Sequence, residues 1–317
     1  MRTPHRLIID ADTGIDDALA IMYALNAPDI RVEGITTVFG NIDVEQATEN
    51  TLRLIELCQP GYEVPVAKGA AAPLVRDYDG PVAYVHGKNG IGDATLAPSS
   101  QQIVQETAAE FIIKQAHAHP GEITLVMVGR MTNLSLALSM DPSIQDKFKE
   151  VVIMGGNVLA PGNVTPVSEA NLHGDPGAAR HVFESELPLT IVTLDVSMKT
   201  LLRRSHLDVL ERCAAEDKQK QIAFMKESME IYFHFYQQYN NFVGACPLHD
   251  PLAVMVAVNP GLVRKQQLKA TIDCGTGETA GMIIADRRVR ASVGREMSFC
   301  MEVDAEQAIN QFMAAMI

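Results

Sequence analysis

The sequence predicts an α/β fold in which helices cover both faces of a mostly parallel central sheet. Strand-like and helix-like segments alternate through the first two-thirds of the chain, and the strand-like segments are continuous Val- and Ile-rich runs. Such runs are typical of strands that are buried on both faces, which occur where helices connect parallel strands. The 317 residues are 47% hydrophobic, which is enough to bury a large core.

The elements of this core can be placed in order along the chain. Apolar runs predict strands at residues 7–9, 32–39, 64–67, 123–128, 151–154 and 189–194. Amphipathic spacing of apolar residues predicts helices at residues 16–26, 44–57, 101–118, 134–138 and 176–184. Strands that alternate with helices in this way indicate a Rossmann-like core.

The last third of the chain has a different pattern. A long helix is predicted at residues 216–239 and a second helix at residues 250–258. Alternating segments then predict a small antiparallel portion, followed by a closing helix, at residues 268–272, 281–285, 299–303 and 305–316. No low-complexity linker divides the chain, so residues 1–317 are expected to form a single domain.

Composition excludes several classes of partner. The formal net charge of −13 argues against a nucleic-acid polymer, because phosphate binding needs a basic surface. No apolar run approaches the roughly 20 residues that cross a bilayer, and the first residues do not resemble a signal peptide. The five cysteines are odd in number and far apart, with no CxxC knuckle. The expected location is therefore the cytoplasm, and the expected partner is a small molecule.

A dense group of acids stands where the first strand should end. Asp10, Asp12, Asp16 and Asp17 lie within eight residues, and no Lys or Arg occurs between residues 6 and 31. Clustered carboxylates repel one another and resist burial, and a hard divalent cation with oxygen ligands stabilises them. Gly14 is expected to permit the tight turn into the helix. The alternative interpretation is helix capping, which needs one or two of these acids rather than four.

Other strand ends also carry polar groups. Asn41 follows the second strand, and the backbone carbonyls after the strand at residues 123–128 can ligate a hard cation. A long loop follows the strand at residues 151–154 and carries Asn163, Glu169 and Asn171, whose side chains suit sugar hydroxyls. Long loops inside compact domains are usually functional or disordered, so both interpretations stay open for this one.

Two further segments carry histidines. His249-Asp250 opens an apolar helix, where a structural histidine and a capping aspartate are the alternatives to a functional pair. Upstream, Tyr232, Tyr236 and Tyr239 share one helical face, which suits either core packing or a wall for a nucleobase. The glycine-rich segment that follows His86 has neither the GxGxxG order nor a P-loop ending, and it is interpreted as a mobile flap.

Together these segments resemble the nucleoside hydrolase family of inosine-uridine-preferring N-ribohydrolases, in the branch with an HDP motif. The shared motifs, in family order, are DxDxGxDDAxA at 10–20, TTVxGN at 36–41, VHGxxGxG at 85–92, TNLxxAL at 132–138, MGG at 154–156, GNxTxxxExN at 162–171 and HDPLAV at 249–254. Any one of these motifs is weak, whereas seven in register are specific.

The resemblance implies a role for each matched position. It implies Ca²⁺ held by Asp12, Asp17, the carbonyl of Val128 and Asp250. It implies that Asp12 is the general base, that Asn41 lies beside the attacking water and that His249 protonates the leaving group. It implies that Asp16, Asn171 and Asp250 bind the 2′- and 3′-hydroxyls of ribose. It also implies that Asn163 and Glu169 bind the 5′-hydroxyl. The resemblance further implies that the base is contacted by His86 and by one tyrosine among Tyr232, Tyr236 and Tyr239.

The sequence departs from the family pattern at three places. Thr13 replaces the usual proline of the opening loop, and Pro166 lies inside the substrate loop. Gly-Arg-Met at 129–131 replaces the usual Gly-Pro-Leu, so that Arg130 brings a long cation close to the expected metal loop. This cation is expected to alter the loop geometry or the contacts between subunits.

The implied function is hydrolysis of ribonucleosides to ribose and free base, with a Ca²⁺-bound water activated by Asp12 and a preference for pyrimidine or mixed nucleosides. Relatives are commonly dimers or tetramers, so a homo-oligomer is expected. One alternative is an aspartyl-phosphate Mg²⁺ phosphatase with the phosphate on Asp10, although the usual Gly-Thr order is reversed at Thr13-Gly14. The other alternative is a nucleoside-binding protein without turnover.

Overall fold

A computed structural model describes residues 3–317; residues 1 and 2, which belong to the predicted domain, lie outside the described residues. The strands are β1 His5–Ala11, β2 Ile30–Thr37, β3 Val66–Lys68, β4 Ile123–Met127, β5 Glu150–Met154, β6 Leu189–Val192, β7 Leu201–Arg203, β8 Ala245–Pro247, β9 Val263–Ile272, β10 Ile283–Asp286 and β11 Arg295–Val303. Within residues 3–317, no helix combines the length and hydrophobicity that a membrane crossing requires.

Nine of these strands form one sheet, in the order β10-β9-β11-β6-β5-β4-β1-β2-β3. The strands from β11 to β3 pair in parallel, and β9 pairs antiparallel with both β10 and β11. The predicted α/β fold with a small antiparallel portion near the C-terminus is therefore confirmed. Strand order reverses between β1 and β4, and in open α/β sheets ligands bind at the carboxyl ends of the strands beside such a switch point.

The helices cover both faces of the sheet. Their bounds are α1 Ile15–Asn26, α2 Val44–Cys58, α3 Ala83–His86, α4 Ala108–Ala118, α5 Thr132–Met140, α6 Ala170–Gly174, α7 Pro176–Glu184, α8 Leu194–Ser197, α9 Arg204–Cys213, α10 Gln219–Asn240, α11 His249–Val258 and α12 Ala305–Met316. Buried residues form two clusters, and β1 contributes to both: Leu7 and Ile9 belong to one cluster and Ile8 to the other. Neighbouring strand residues point to opposite faces, so β1 is buried from both sides.

Some boundaries differ from the predictions. Helix α4 begins at Ala108 rather than at residue 101, because the hydroxyl of Thr107 accepts from the amide of Glu110 while the carboxylate of Glu110 accepts from the amide of Thr107. This reciprocal capping box fixes the start of a helix. A 3₁₀ turn at Glu216–Lys218 precedes α10. The short pair β7–β8 was not predicted, because strands of three residues leave no periodic signal. Helix α9, which buries Leu207 and Leu210, was not predicted either.

Candidate active site

A pocket of about 650 Å³ opens at the carboxyl ends of the parallel strands. The residues that follow β2, β4 and β5 contribute to its lining, and helices α10 and α11 close it on one side. Most residues predicted as site residues line this pocket: Asp16, Asn41, His86, Val128, Asn163, Glu169, Asn171, Tyr232, Tyr236, Tyr239, His249 and Asp250. The other two, Asp12 and Asp17, are fully buried beside it.

Three carboxylates meet at the inner end of the pocket. One oxygen each of Asp16, Asp17 and Asp250 lies within 4.8 Å of the other two. Helix α1 supplies Asp16 and Asp17 in its first turn, and α11 begins with His249 and Asp250. Both helices therefore direct their amino-terminal ends, where the helix dipole favours negative charge, toward one point.

The turn before α1 depends on a glycine because of close packing. Gly14 has a φ of −91°, which any residue can adopt, so its backbone conformation does not require glycine. A Cβ atom at this position would lie 2.5 Å from Nδ1 of His86 and 2.7 Å from Nδ2 of Asn41. Gly14 stands at the turn as expected, and it is required there because it makes room for two pocket side chains.

The carboxylate group has the properties of a site for a hard cation. Oδ1 of Asp16 and Oδ1 of Asp17 are buried without a hydrogen-bond partner. Burial, together with repulsion between neighbouring carboxylates, raises the pKa of Asp17 and of Asp250 well above the usual value, and burial raises the pKa of Asp16 to about 6. These buried oxygens lack hydrogen-bond partners and are short of positive charge. A divalent ion that binds oxygen ligands would coordinate them and supply that charge. The residues present therefore fit a metal ion.

Helix capping, the alternative interpretation, accounts for part of this cluster. Oδ2 of Asp17 accepts from the amide of Gly14 at 2.8 Å, which caps α1. The same oxygen accepts from Nδ2 of Asn41 at 3.0 Å. Capping leaves Oδ1 of both Asp16 and Asp17 unbonded, so it does not explain why the acids are gathered.

Asp12 is bonded differently from the other acids. Its Oδ2 accepts from the amide of Asn41 at 2.7 Å, and the same oxygen contacts the guanidinium of Arg130 in a buried ion pair. Burial raises the pKa of Asp12, while the charge of Arg130 acts in the opposite direction. Arg130, expected near the metal loop, thus lies inside the site.

Asp10, the first acid of the motif, lies beneath the site within the sheet. Its Oδ2 accepts from the hydroxyl of Thr36 at 2.6 Å and from Nδ2 of Asn133 at 2.7 Å. Burial raises the pKa of Asp10 to about 7. Asp10 does not belong to the group of three carboxylates; it ties the ends of β1 and β2 to the start of α5.

The long loop after β5 brings its polar groups to the pocket but also uses them internally. Glu169 caps the short helix α6, and its carboxylate accepts from the amides of Gly156 at 2.9 Å and Asn171 at 3.0 Å. Nδ2 of Asn171 donates to the carbonyl of Val128 at 2.8 Å. Asn163 is exposed at the rim, and its Oδ1 accepts from the amide of Ala170 at 3.0 Å.

A chain of three polar groups lies beside the carboxylates, because His249 directly precedes Asp250 at the start of α11. Nε2 of His249 is 2.7 Å from the hydroxyl of Tyr236, and Nδ1 is 2.7 Å from the hydroxyl of Ser197. Burial lowers the pKa of His249 to about 3, so the imidazole is neutral near neutral pH. Ser197 was not predicted, because a serine far away in sequence gives no local signal.

Aromatic rings form the adjoining wall. The rings of His86 and Tyr232 lie 5.9 Å apart, and those of Tyr232 and Tyr236 lie 4.9 Å apart in an edge-to-face arrangement. The hydroxyl of Tyr232 donates to Asp16 at 3.0 Å, whereas Tyr239 is exposed at the rim. Tyr232 and Tyr236 are therefore buried core residues that also line the pocket, and contact with a nucleobase stays a prediction.

The segment that carries His86 is tied down by hydrogen bonds. Nδ1 of His86 accepts from the amide of Ile15 at 3.1 Å, and burial lowers the pKa of His86 to about 3. Within the glycine-rich stretch, Oδ1 of Asn89 accepts from the amides of Ile91 and Asp93, each at 3.0 Å. The mobility of this flap stays a prediction.

The acidic side chains and the pocket lie at the switch point of a parallel sheet, which is where open α/β proteins bind their ligands. The model of the family described as inosine-uridine preferring nucleoside hydrolase matches residues 7–310, and the chain belongs to this family.

Individual relatives agree with this assignment. Uridine nucleosidase 1 of Arabidopsis thaliana is 39% identical over 259 residues, which are 81% of this chain and 75% of the relative. The inosine-uridine preferring nucleoside hydrolase of Leishmania major is 33% identical, with coverage of 96% and 98%. Among solved structures, the purine-preferring ribonucleoside hydrolase from Gardnerella vaginalis has a TM-score of 0.90 at 36% identity and covers 98% of both chains.

Proposed function

We propose that this chain hydrolyses the N-glycosidic bond of ribonucleosides to give ribose and a free nucleobase. Membership of the family and relatives named as uridine nucleosidase or ribonucleoside hydrolase support this reaction. The observation that carries the proposal is the joint position of two groups. The carboxylates of Asp16, Asp17 and Asp250 lie at one end of a pocket that also contains the His249–Tyr236 pair. The carboxylates suit a cation and a diol, and the imidazole and aromatic side chains next to them suit a base.

The proposed cofactor is Ca²⁺, with Asp12, Asp17, the Val128 carbonyl and Asp250 as its proposed ligands. The support is that these groups offer only oxygen atoms, which Ca²⁺ prefers over the nitrogen and sulfur ligands of zinc. When bound, the cation would offset part of the negative charge of the carboxylates and orient both a water molecule and the ribose diol.

The proposed ribose contacts divide between two parts of the pocket. Asp16, Asn171 and Asp250 are proposed to hold the 2′- and 3′-hydroxyls, since their oxygens lie at the acidic end. Asn163 and Glu169 are proposed to hold the 5′-hydroxyl. Because Glu169 already accepts three backbone hydrogen bonds, its main contribution is to fix the loop, with a smaller share in binding the hydroxyl.

The proposed reaction is a displacement at C1′. Asp12, held by Asn41, takes a proton from the attacking water as the new C1′–O bond forms and the C1′–N bond breaks. The sugar becomes positively charged in the transition state, as in other glycosidic cleavages. Carboxylates fixed before the reaction stabilise this charge without reorganisation, which is the main electrostatic contribution expected from the site.

The departing base is proposed to take up a proton from the part of the pocket that Tyr236 and His249 line. A neutral His249 cannot supply the proton as an imidazolium, so we propose that it comes from Tyr236 in the chain of Tyr236, His249 and Ser197. Each group in this chain can donate one hydrogen bond and accept another, so the negative charge left when Tyr236 gives its proton to the base is shared along the chain until solvent in the emptied pocket returns a proton to Tyr236. His86, Tyr232 and Tyr239 are proposed to enclose the base.

Further parts of the proposal concern specificity and assembly. We propose a preference for uridine and cytidine, supported by plant relatives named uridine nucleosidase and by the pyrimidine-specific RihB of Escherichia coli. We also propose one domain over residues 1–317, a homodimer or homotetramer, and a cytoplasmic location. The location is supported by Cys213 and Cys274, whose exposed thiols are free, as is usual in a reducing compartment.

Release of reducing sugar tests the proposal. The purified protein is incubated with uridine, cytidine, inosine or adenosine, and ribose and base are both quantified. Equal amounts of ribose and base are expected, with uridine or cytidine cleaved fastest. Nucleoside binding without release of base would overturn the proposed reaction, and faster cleavage of purine nucleosides would overturn the proposed specificity alone.

A further inference from the structure

The side chain of Arg130 lies inside the acidic end of the pocket. It is 6% exposed, and its Nη1 contacts Oδ2 of Asp12. The same nitrogen is 3.2 Å from Oδ1 of Asn171 and 3.5 Å from Oδ1 of Asn41. One guanidinium nitrogen thus contacts a proposed metal ligand (Asp12), a proposed ribose contact (Asn171) and the residue expected beside the attacking water (Asn41).

Two glycines make room for this side chain. A Cβ atom at Gly174 would lie 2.6 Å from Nε and 2.7 Å from Cγ of Arg130. A Cβ atom at Gly40 would lie 2.6 Å from Cζ. All three distances are too short for any ordinary contact, so the guanidinium occupies a channel that side chains at these two positions would fill.

The contacts of Arg130 compete with the proposed roles of its partners. Oδ1 of Asn171 accepts from Arg130, and Nδ2 of the same side chain donates to the carbonyls of Val128 and Met154. In this arrangement both amide hydrogens of Asn171 are used, and its Oδ1 keeps a single lone pair for a ribose hydroxyl. Oδ2 of Asp12 is likewise occupied by Arg130 and the amide of Asn41.

The charges compete as well. A guanidinium cannot lose its proton in a protein, so it remains positive in the site at any working pH. A divalent cation bound to the same carboxylates would meet this positive charge at close range in a buried site, where screening by salt is weak.

We propose that Arg130 is a tethered cation that competes with the divalent ion for Asp12. It would stabilise the metal-free protein by partly neutralising the acids, and it would weaken metal binding so that the site fills only when the free ion is abundant. Tyr78 and Asp79 line the same pocket and offer a hydroxyl and a carboxylate to the displaced guanidinium. This inference rests on the proposed function, because it takes the acidic cluster to be the metal site.

Titration of CaCl₂ into the chelator-treated protein, followed by calorimetry, tests the proposal without measuring activity. Arg130→Met removes the charge and keeps much of the apolar stem. We expect this variant to bind Ca²⁺ at least about tenfold more tightly than the wild type. In chelator, the melting temperature of Arg130→Met should fall, and addition of Ca²⁺ should raise it by more than it raises that of the wild type.

The matched control is Arg180→Met, which removes a positive charge from an exposed pair with Glu184. Its affinity for Ca²⁺ should stay within about twofold of the wild type, because surface charges are screened. A second variant, Gly174→Ala, keeps the charge but places a methyl group against the guanidinium, so it should also tighten Ca²⁺ binding. This variant keeps the test valid if Arg130→Met does not fold.

The outcomes separate the two proposals. Equal Ca²⁺ affinity in the wild type, Arg130→Met and Gly174→Ala would overturn the competition while leaving the metal site intact. Absence of Ca²⁺ binding in the wild type and in every variant would overturn the metal site and the competition together. Tighter binding in both variants, with the Arg180→Met control unchanged, would support the tethered cation.

Discussion

The hydroxyl of Tyr236 lies 2.7 Å from Nε2 of His249, and both side chains line the same pocket. Because Ser197 contacts the other ring nitrogen of His249, the three groups form one buried hydrogen-bonded chain that ends at the pocket. A neutral imidazole placed between two hydroxyls can relay a proton without holding a charge. In the proposed reaction, the Tyr236 hydroxyl at the pocket end of this chain donates its proton to the leaving base.

Replacement of Tyr236 by Phe should impair only leaving groups that need protonation. With uridine, we expect kcat to fall by about 10²- to 10⁴-fold. With 4-nitrophenyl riboside, whose leaving group departs as a stable anion, the loss should be small. Steady-state kinetics on both substrates measure this difference. Tyr23→Phe is the control, since it removes a tyrosine hydroxyl that is bonded to Gln311. Equal losses on the two substrates would show that Tyr236 acts through structure alone.

Replacement of Asp12 by Asn should abolish turnover in a folded protein. The change keeps the size of the side chain but removes both its negative charge and its ability to take a proton, so kcat should fall by more than about 10³-fold. Circular dichroism and ribose release are measured together. Asp304→Asn, at the start of α12, serves as a control because asparagine also caps helices. Turnover in Asp12→Asn near that of the wild type would contradict the assignment of the base.

The 2′-hydroxyl should be required for rapid cleavage. The carboxylates proposed to bind the diol are buried, and a substrate without one hydroxyl leaves them without a partner. Sites built to bind a hydroxyl reject analogues that lack it, here by at least about 10²-fold in kcat/KM. Uridine and 2′-deoxyuridine are compared under identical conditions. Similar kcat/KM values for the two would rule out the diol contacts.

Stability at acid pH should depend on the two buried histidines. Burial lowers the pKa of His86 and His249 from 6.5 to about 3 in the folded protein. Below about pH 6.5 the unfolded chain binds protons that the folded chain does not, so the unfolding free energy falls as the pH decreases toward 3. At pH 5, each histidine should account for a loss of about 2 kcal/mol relative to neutral pH.

Urea denaturation at neutral pH and at about pH 5 measures this effect. His249→Gln should lose less unfolding free energy than the wild type between these two pH values. His234→Gln, on the exposed face of α10, should behave like the wild type. The comparison between variants is essential, because Asp10 and Asp16, whose pKa values are raised, respond to pH in the opposite direction. An unchanged pH dependence in His249→Gln would contradict a neutral buried histidine.

Much of the fold followed from local pattern. The continuous apolar strands and the amphipathic helices between them predicted the parallel sheet, and the alternating segments from residue 268 predicted the antiparallel strands. The predicted element boundaries were wrong where the sequence signal is short or where it depends on a pair of capping residues. The capping box of Thr107 and Glu110 was missed at the start of α4, and β7 and β8 are too short for a periodic pattern.

The site could be predicted less completely. Most of the predicted site residues follow parallel strands, and they lie in or beside one pocket because parallel strands have their carboxyl ends at the same edge of the sheet. The partner of His249 and the direction of the Arg130 side chain could not be read from the sequence. Both depend on packing between distant segments: Ser197 is 52 residues away from His249, and Arg130 is 118 residues away from Asp12.

The central claim is that the acidic cluster holds a divalent cation in a site that cleaves ribonucleosides. The most direct test is the release of ribose from uridine by protein treated with EGTA, before and after addition of CaCl₂, with the Asp12→Asn protein in parallel. We expect no ribose in EGTA, full recovery with calcium in the wild type, and no recovery in Asp12→Asn. Full turnover in EGTA, or no ribose release by the wild type with calcium present, would contradict the account.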